Sequence, residues 1–369
     1  MIYQQPWELV QNKVRGEGGR ETDRFRGAPD PRDIENGAEA WIGSVTRANG
    51  ATAASPNLGC SEVVASDGSR RYLHDIIREA PEEVLGSQHM AHFGTELGIL
   101  VKLLDVKKKF LLQSHPNRAV AKALWDSDYG KEECWHILSV RQDVKEPPHI
   151  FLGFKPGITR EMFESTYRTS TMEALEALCH KMVVQPGETY FVPAGMPHAL
   201  GEGCFTAEVQ EPSDITAVPL PQEKLLSFRR IANPDGVFLP IETELYEARM
   251  LESFDYTGYP QEALLAKTKS ENPVIRSGSW GKEILLIGSS FTQYFSCTLL
   301  QVCGEVPLLN TGDIRIGLVT RGAGELRFDG GCLPVRQGSE IFFPYQAKNI
   351  VLSGDVSMMM SNPAGAKLL

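Results

Sequence analysis

The chain has 369 residues, of which 42% are hydrophobic and 23% are charged, an ordinary balance for a globular protein. This length is enough for two domains or for one large composite β domain. Its formal net charge of -10 argues against a nucleic-acid or anionic-membrane partner, and no apolar run approaches the ~20 residues of a membrane span. Seven cysteines without Cys-x-x-Cys spacing, and an N-terminus without signal-peptide features, favour reduced thiols and a cytoplasmic location.

The first 60 residues are rich in Gly, Arg, Asp and Pro, and one short strand is predicted there, within Gly37–Gly43 and anchored by Trp41. The segment from Arg15 to Arg32 is predicted to be an irregular, solvated loop. Its arginines are interpreted as contributing to solubility, since nothing in the pattern selects one that faces a phosphate.

Helical spacing and then a buried strand follow. Leu73, Ile76 and Ile77 share one helix face, and Pro81–Gly86 reads as a short helix that a glycine stops. The apolar run Gly98–Asp105 predicts a strand in a core. It leads to the polar stretch that contains the first candidate metal ligands.

Gln113 and His115 stand two residues apart, so in an extended segment their side chains project from the same face. A glutamine oxygen and an imidazole nitrogen can both bind a divalent ion such as zinc. A histidine on a strand face is more often simply packed or hydrogen-bonded. Two later stretches shift the balance towards a ligand. Asn117 is predicted to cap a helix that begins at Arg118.

The first of these later stretches is a β-prone segment, Cys134–Val140, with Glu133 at its entrance. Taken alone, Glu133 would be an exposed charge at a strand end. Residues 159–182 are predicted to be helical, and His180 would then lie on that helix in a structural or exposed position.

The second stretch is Gly187–Pro193, a turn and a short strand that deliver His198 five residues later. The same form recurs in Gly338–Pro344, where Asn349 stands five residues after the proline. The repeated scaffold therefore does not require a histidine at this position, which favours a chemical role for His198.

The remainder is predicted to be a helix over residues 221–235, a polar connection over 240–273, and a β-rich C-terminal third that forms a sandwich or barrel. The strands predicted in that third are Glu283–Ile287, Phe291–Val302, Ile314–Thr320, Gly324–Phe328, Ser339–Phe343 and Asn349–Leu352.

Six stretches together resemble the type I phosphomannose isomerases of the cupin superfamily. They are Gly37–Trp41, Leu100–Asp105, Gln113–Asn117, Gly130–Trp135, Val192–Leu200 and Glu208–Thr216. The resemblance implies a mainly β fold of two cupin-type jelly-roll units with a helical insertion. We expect residues 1–116 and 183–220 to form the zinc-bearing catalytic unit. Residues 117–182 would form the insertion, with a strand near 133–140. Residues 221–273 would form a helix and connection, and 274–369 a metal-free second unit.

The resemblance also implies one zinc ion per chain, an active-site lysine at Lys131 and an active-site aspartate at Asp214. The implied zinc ligands are Gln113, His115, Glu133 and His198. Mixed nitrogen and oxygen ligands suit a catalytic rather than a structural zinc.

The implied reaction interconverts mannose 6-phosphate and fructose 6-phosphate through an enediol. Lys131 could transfer the proton, and Asp214 could orient a hydroxyl group or share that task, so the general base stays open between them. Ser114 and Lys102 are guesses for phosphate contacts.

One position departs from the family pattern. The family usually carries an arginine four residues after the aspartate, where this chain has Val218. The nearest cations in sequence are Lys224, Arg229 and Arg230, on the predicted helix. Two alternatives therefore stay open, namely a non-catalytic zinc cupin that binds or senses a sugar phosphate, and an isomerase for another sugar. The oligomeric state is also open.

Overall fold

Short strands dominate the first part of the chain and long strands the last third. The structure, a computed structural model, describes residues 2–64, 68–220, 230–232, 238–240 and 242–365. Its strands are β1 (Trp7–Glu8), β2 (Lys13–Arg15), β3 (Glu39–Ile42), β4 (Glu62–Val64), β5 (Arg70–Tyr72), β6 (Leu100–Asp105), β7 (Glu133–Val140), β8 (His149–Phe154), β9 (Cys179–Val183), β10 (Thr189–Val192), β11 (His198–Leu200), β12 (Cys204–Gln210), β13 (Arg230–Ala232), β14 (Phe238–Pro240), β15 (Lys269–Ser270), β16 (Val274–Gly278), β17 (Gly281–Ile287), β18 (Phe295–Pro307), β19 (Arg315–Phe328), β20 (Gly331–Arg336), β21 (Glu340–Phe343) and β22 (Val351–Pro363).

Helices are short and lie mostly between the strands of the first part. A 3₁₀ turn over Ile2–Gln4 precedes them. They are α1 (Arg20–Phe25), α2 (Leu73–Glu79), α3 (Pro81–Val84), α4 (Ser87–Phe93), α5 (Arg118–Leu124), α6 (Arg160–Thr169), α7 (Met172–Glu176), α8 (Thr243–Glu252) and α9 (Gln261–Thr268). None of the described helices is long and apolar enough to cross a membrane.

Two large antiparallel sheets organise the described residues, and the predicted mainly β fold is confirmed. The first has seven strands in the order β15-β10-β7-β12-β6-β3-β2. The second has eight, in the order β1-β21-β19-β22-β18-β17-β16 with β20 paired to β19. A smaller sheet has three strands in the order β11-β8-β9, and His198 is the first residue of its edge strand β11.

The two large sheets share one apolar core. Ile42 and Phe191 of the first sheet and Phe342 and Met359 of the second belong to the same buried cluster. The N-terminal strand β1 pairs with β21, and Trp7 stacks on Phe342 with ring centroids 5.5 Å apart. Strand β7 lies inside the first sheet between β10 and β12. The division of the chain into units stays a prediction.

The two repeated glycine-to-proline segments begin with the same backbone conformation. Gly187 and Gly338 adopt positive φ angles of 91° and 86°, a conformation that favours glycine. Each leads into a fully buried four-residue strand, β10 or β21. Both strands were predicted and are confirmed.

Several local predictions on the way to the site are also confirmed. Leu73, Ile76 and Ile77 form the buried face of α2. Asn117 caps α5, because its side chain accepts a hydrogen bond of 2.9 Å from the backbone of Val120. Strand β6 is buried along its whole length.

The helix predicted over 159–182 is wrong in its last part. Residues 179–183 form β9, which pairs with β8, and His180 therefore lies on a strand, where its Nε2 contacts the Tyr259 carbonyl at 2.8 Å. Cys179, His180 and Met182 are buried in this strand. Pairing with a neighbouring buried strand outweighs the local helical spacing.

The connection predicted over 240–273 is also wrong, because it contains α8 and α9. Tyr246 and Met250 on α8 and Leu264 on α9 are fully buried. In the helix predicted over 221–235, residues 230–232 instead form β13, paired with β14, and the other residues lie outside the described ranges.

Two further corrections concern the arginine-rich segment near the N-terminus and a long strand in the last third of the chain. The segment 15–32 is not simply solvated, because it contains α1 and because the buried guanidinium of Arg26 pairs with the buried carboxylate of Glu340. The two strands predicted over 314–328 are one strand, β19, in which a register shift between Val319 and Arg321 absorbs the glycine-rich interruption.

Candidate active site

Backbone hydrogen bonds hold the segment that follows β6 against β11. Gln113 and His198 exchange two of them, with N–O distances of 3.0 and 2.8 Å. Ser114 pairs with Ala217 in the same way, and the Gly195 N–H donates to the His115 carbonyl at 2.7 Å. These contacts place the side chains of Gln113, His115 and His198 on one side of a closed corner.

Three ligand-type side chains converge at this corner. Nε2 of His115 lies 3.4 Å from Oε2 of Glu133, and Nε2 of His198 lies 3.3 Å from Oε1 of the same carboxylate. Nε2 of His115 and Nε2 of His198 are 3.1 Å apart. The predicted fourth ligand joins them, since the Gln113 amide nitrogen lies 3.4 Å from Nε2 of His198. Exchanging the amide oxygen and nitrogen would present an oxygen ligand.

The second nitrogen of each imidazole faces a backbone carbonyl. Nδ1 of His115 lies 2.8 Å from the Ile215 oxygen, and Nδ1 of His198 lies 2.8 Å from the Met196 oxygen. A carbonyl can only accept, so each Nδ1 is the protonated nitrogen and each Nε2 presents a lone pair to the corner. The buried Oε1 of Glu133 has no hydrogen-bond donor. The corner therefore fits a metal cation.

The charges of the corner support the same interpretation. Burial, followed by the positive charge of Lys131, lowers the pKa of His115 to about 3, and burial also lowers the pKa of His198. Burial alone would raise the pKa of Glu133, but the positive charge of Lys131 holds it well below its ordinary value. Neutral imidazoles and an ionised carboxylate are the forms that bind a metal.

Lys131 reaches into this corner from the irregular segment just before β7. Its Nζ lies 2.6 Å from Nε2 of His115 and 2.6 Å from Oε2 of Glu133. The residue is only 3% exposed. It therefore contacts two candidate metal ligands and also lines the neighbouring cavity.

The cavity has a volume of about 380 Å³, within the range of small-molecule sites. It is lined by Arg15, Gly16, Glu39, Asn49, Lys102, Leu104, Lys109, Phe110, Leu111, Gln113, Lys131, Trp135, Leu200, Glu208, Asp214, Thr216 and Val218. A larger cavity of about 670 Å³, lined by residues of both large sheets, contains none of the predicted site residues.

Asp214 lines the cavity but is tied to an arginine that the sequence pattern did not single out. Nη1 and Nη2 of Arg15 donate to its two oxygens at 2.5 and 2.7 Å, and the Asn49 N–H donates at 2.6 Å. Burial opposes ionisation, yet Arg15 and Lys102 lower the pKa of Asp214 to about 2. Arg15 stands 199 residues away in the chain, so no local signal could have paired the two residues.

The remaining predicted contacts divide between the cavity and the core. Lys102 lies in the cavity wall with its Nζ 2.9 Å from Oε1 of Glu208. Ser114 is buried, and its hydroxyl donates to the Ser253 carbonyl at 2.7 Å. Val218 is fully buried beside Tyr246, whose hydroxyl accepts its N–H. Lys224, Arg229 and the side chain of Arg230 lie outside the described residues.

Comparison with known proteins supplies an independent view of the same corner. Residues 7–133, which include His115, Lys131 and Glu133, match the family described as the phosphomannose isomerase type I catalytic domain. The chain is related to the type I phosphomannose isomerases. The resemblance read from the motifs is thereby confirmed.

Individual relatives extend the match beyond that region. Mannose-6-phosphate isomerase ManA of Bacillus subtilis is 23% identical over 269 residues, which are 73% of this chain and 76% of the relative. A mannose-6-phosphate isomerase of Ogataea parapolymorpha is 43% identical over 112 residues, 28% of this chain and 23% of the relative. The crystal structure of the Bacillus subtilis mannose 6-phosphate isomerase has a TM-score of 0.73, with 21% identity, and covers 97% of this chain and 100% of that one. The relationship therefore includes the fold of both sheets.

Proposed function

We propose that this protein is a zinc-dependent isomerase that interconverts mannose 6-phosphate and fructose 6-phosphate. One observation carries the proposal: His115, Glu133 and His198 converge beside Gln113 and Lys131, and these last two residues line the neighbouring cavity. The kinship with the phosphomannose isomerases supports the substrate class. The choice of zinc follows from two imidazoles, one carboxylate and one amide.

The metal ligands proposed are Gln113, His115, Glu133 and His198. A zinc ion bound there would supply a Lewis acid that stabilises negative charge developing on the sugar carbonyl oxygen. The protein prepares the site through backbone carbonyls, which fix both imidazole tautomers, and through burial, which keeps both rings neutral.

Lys131 is the proposed proton carrier. In its neutral form the amine would take the proton from C2 of open-chain mannose 6-phosphate; the electron pair of that C–H bond would form the C1–C2 double bond, and the pair of the aldehyde C=O bond would move to O1. Transfer of the O2 proton to O1, and return of the proton from Lys131 to C1, would then leave the C2 carbonyl of fructose 6-phosphate. Asp214 is the weaker candidate for this base, because both of its oxygens accept hydrogen bonds and its pKa of about 2 makes it a poor proton acceptor.

One observation favours a second function. Val218 gives the cavity an apolar group where the family usually presents a guanidinium, so the protein could bind or sense a sugar phosphate without turnover, or isomerise another sugar.

The proposed cytoplasmic location follows from seven unpaired cysteines.

A coupled assay distinguishes these functions. Zinc-loaded protein is given mannose 6-phosphate, and fructose 6-phosphate formation is followed before chelation, after chelation and after zinc is restored. Turnover that chelation removes and zinc restores supports the isomerase. Calorimetric binding of mannose 6-phosphate without turnover supports the sensor, and turnover of a different sugar phosphate alone supports the third alternative.

A further inference from the structure

Arg15, at the end of β2, presents its guanidinium to the candidate substrate cavity. Nη1 and Nη2 donate to Asp214, and Nε donates to Glu39 at 2.9 Å. The guanidinium carbon lies 5.6 Å from the centre of the Trp41 ring. Of the five N–H donors of an arginine, these contacts use three. Two donors remain for a ligand.

Arg15 and its partner Asp214 differ in how far their side chains are exposed. The Arg15 side chain is 32% exposed, whereas that of its partner Asp214 is 1% exposed. The carboxylate is thus enclosed, and the Arg15 side chain forms the accessible part of the pair. Among the described residues that line the cavity, Arg15 is the one arginine.

Val218 lines the same cavity as Arg15, but its side chain can donate no hydrogen bond. It is fully buried, and its backbone N–H and C=O both contact the Tyr246 hydroxyl, at 2.9 and 3.3 Å. The backbone around residue 218 is therefore fixed in the wall. A guanidinium enters the same cavity from β2 instead.

We propose that Arg15 contacts the bound sugar and takes the role that the family pattern gives to an arginine at the position of Val218. This inference rests on the proposed function for the identity of the sugar phosphate. The two remaining N–H groups of Arg15 would donate to hydroxyl oxygens of the open-chain sugar, and these bonds would strengthen as negative charge develops on an oxygen. Asp214 and Glu39 act as positioning residues that hold the guanidinium in one orientation.

The local charge favours the hydroxyl end of the substrate over its phosphate. Arg15 faces two carboxylates, Asp214 and Glu39, so the three groups together carry a negative charge when both acids are ionised. The pKa of Glu39 is lowered, since Arg15 and Lys102 outweigh the effect of burial, and both acids are ionised at neutral pH. The positive charge of Arg15 is thus already compensated by its own two partners, so its free N–H groups suit neutral hydroxyl oxygens better than a phosphate dianion.

The competing explanation is that Arg15 only neutralises a buried aspartate. Arg118 supplies a matched control, because its side chain is 34% exposed and pairs through Nε with Glu211, whose side chain is 1% exposed, at 2.6 Å. Arg118 does not line the candidate cavity. Arg15→Gln and Arg118→Gln thus each remove an arginine from a buried carboxylate, but only one removes a donor from the cavity.

The experiment measures kcat and KM for mannose 6-phosphate, zinc content and thermal stability for the wild type, Arg15→Gln, Arg15→Lys and Arg118→Gln. We expect Arg15→Gln to lower kcat/KM by roughly 10- to 100-fold, mainly through kcat, with zinc retained. Arg15→Lys keeps a positive charge beside Asp214 but lacks the planar fork, so it should fold even if Arg15→Gln does not and should still lose at least about 10-fold. Arg118→Gln should stay within about 3-fold.

Two results would overturn the inference. If Arg15→Gln and Arg15→Lys lose stability but keep kcat/KM within about 3-fold, Arg15 serves the ion pair alone. If the wild type has no isomerase activity, the proposed function fails separately, and binding of fructose 6-phosphate by calorimetry decides the role of Arg15. Binding at least about 10-fold weaker in Arg15→Lys than in the wild type then supports the contact, whereas equal binding or none at all overturns it.

Discussion

The Nε2 atoms of His115 and His198 lie 3.1 Å apart although neither carries a proton to donate. Each ring uses its Nδ1 proton for a backbone carbonyl, so two lone pairs face each other beside the unpaired oxygen of Glu133. Such an arrangement favours a cation, and Nζ of Lys131 contacts only Nε2 of His115 and Oε2 of Glu133, which leaves Oε1 of Glu133 without a donor. It is the physical basis for expecting a metal at this corner.

Metal content is the first prediction. Protein purified without chelators should contain about one zinc per chain by elemental analysis. His198→Ala should lose it on dialysis, because the remaining donors no longer complete a tetrahedral site. Asn349 occupies the corresponding place after the second glycine-to-proline segment and is exposed. Asn349→Ala should keep the zinc of the wild type, and equal zinc retention in both variants would contradict the assignment.

Lys131 provides a test of proton transfer that is separate from metal binding. Lys131→Met should lower kcat by on the order of 10²-fold or more while zinc is retained, since the side chain would no longer carry a proton. Lys122 is a control, because it is an exposed lysine whose side chain pairs with Asp128. A Lys131→Met enzyme within a few-fold of the wild type would return the role of base to Asp214.

Asp214 makes stability depend on acid pH. Its folded pKa of about 2 lies below the ordinary value of ~3.9, which corresponds to about 3 kcal/mol of stability. This contribution is fully present above pH ~5 and is lost as the pH falls through ~4 towards 2. Urea unfolding at several pH values should show this loss in the wild type. Asp214→Asn, which cannot ionise, should be less stable at pH 7 and should change less between pH 5 and pH 2. Parallel pH profiles would show that the pair with Arg15 does not stabilise the fold.

Val218→Arg tests the departure from the family pattern directly. The side chain is fully buried and the cavity already contains the guanidinium of Arg15. We therefore expect the added arginine to cost about 1–3 kcal/mol of stability and not to raise turnover. The free energy of unfolding and kcat should be measured together. A stable variant with several-fold higher kcat would show that residue 218 is simply a lost catalytic arginine.

Thiol titration tests the redox state of the protein. All seven cysteines are unpaired, Cys303 and Cys332 being exposed and the other five buried. Burial also raises the pKa of Cys60 to about 11 and that of Cys204 to about 12, which suppresses the reactive thiolate. Two thiols should react quickly in the native protein and seven after denaturation without a reductant. Fewer than seven in the denatured protein would indicate disulfides.

The sequence predicted which ligand-type side chains meet at the corner better than it predicted which residues line the cavity. Gln113, His115, Glu133 and His198 carry ligand chemistry in recognisable local patterns, and backbone pairing of Gln113 with His198 brings them together. Arg15 lies in no such local pattern, because its ion-pair partner Asp214 is 199 residues away in the chain. The helix predicted through residue 182 was wrong for a related reason, since pairing of β9 with β8 decides its conformation.

One measurement tests the central claim most directly. Protein shown to contain one zinc per chain is incubated with mannose 6-phosphate, and the sugar carbons are followed by NMR to equilibrium, in parallel with chelated and with zinc-restored samples. We predict that fructose 6-phosphate appears with the zinc-loaded protein, does not form after chelation and forms again when zinc is restored. Unchanged mannose 6-phosphate in the presence of the zinc-loaded protein, or equal conversion by the chelated protein, would contradict the account.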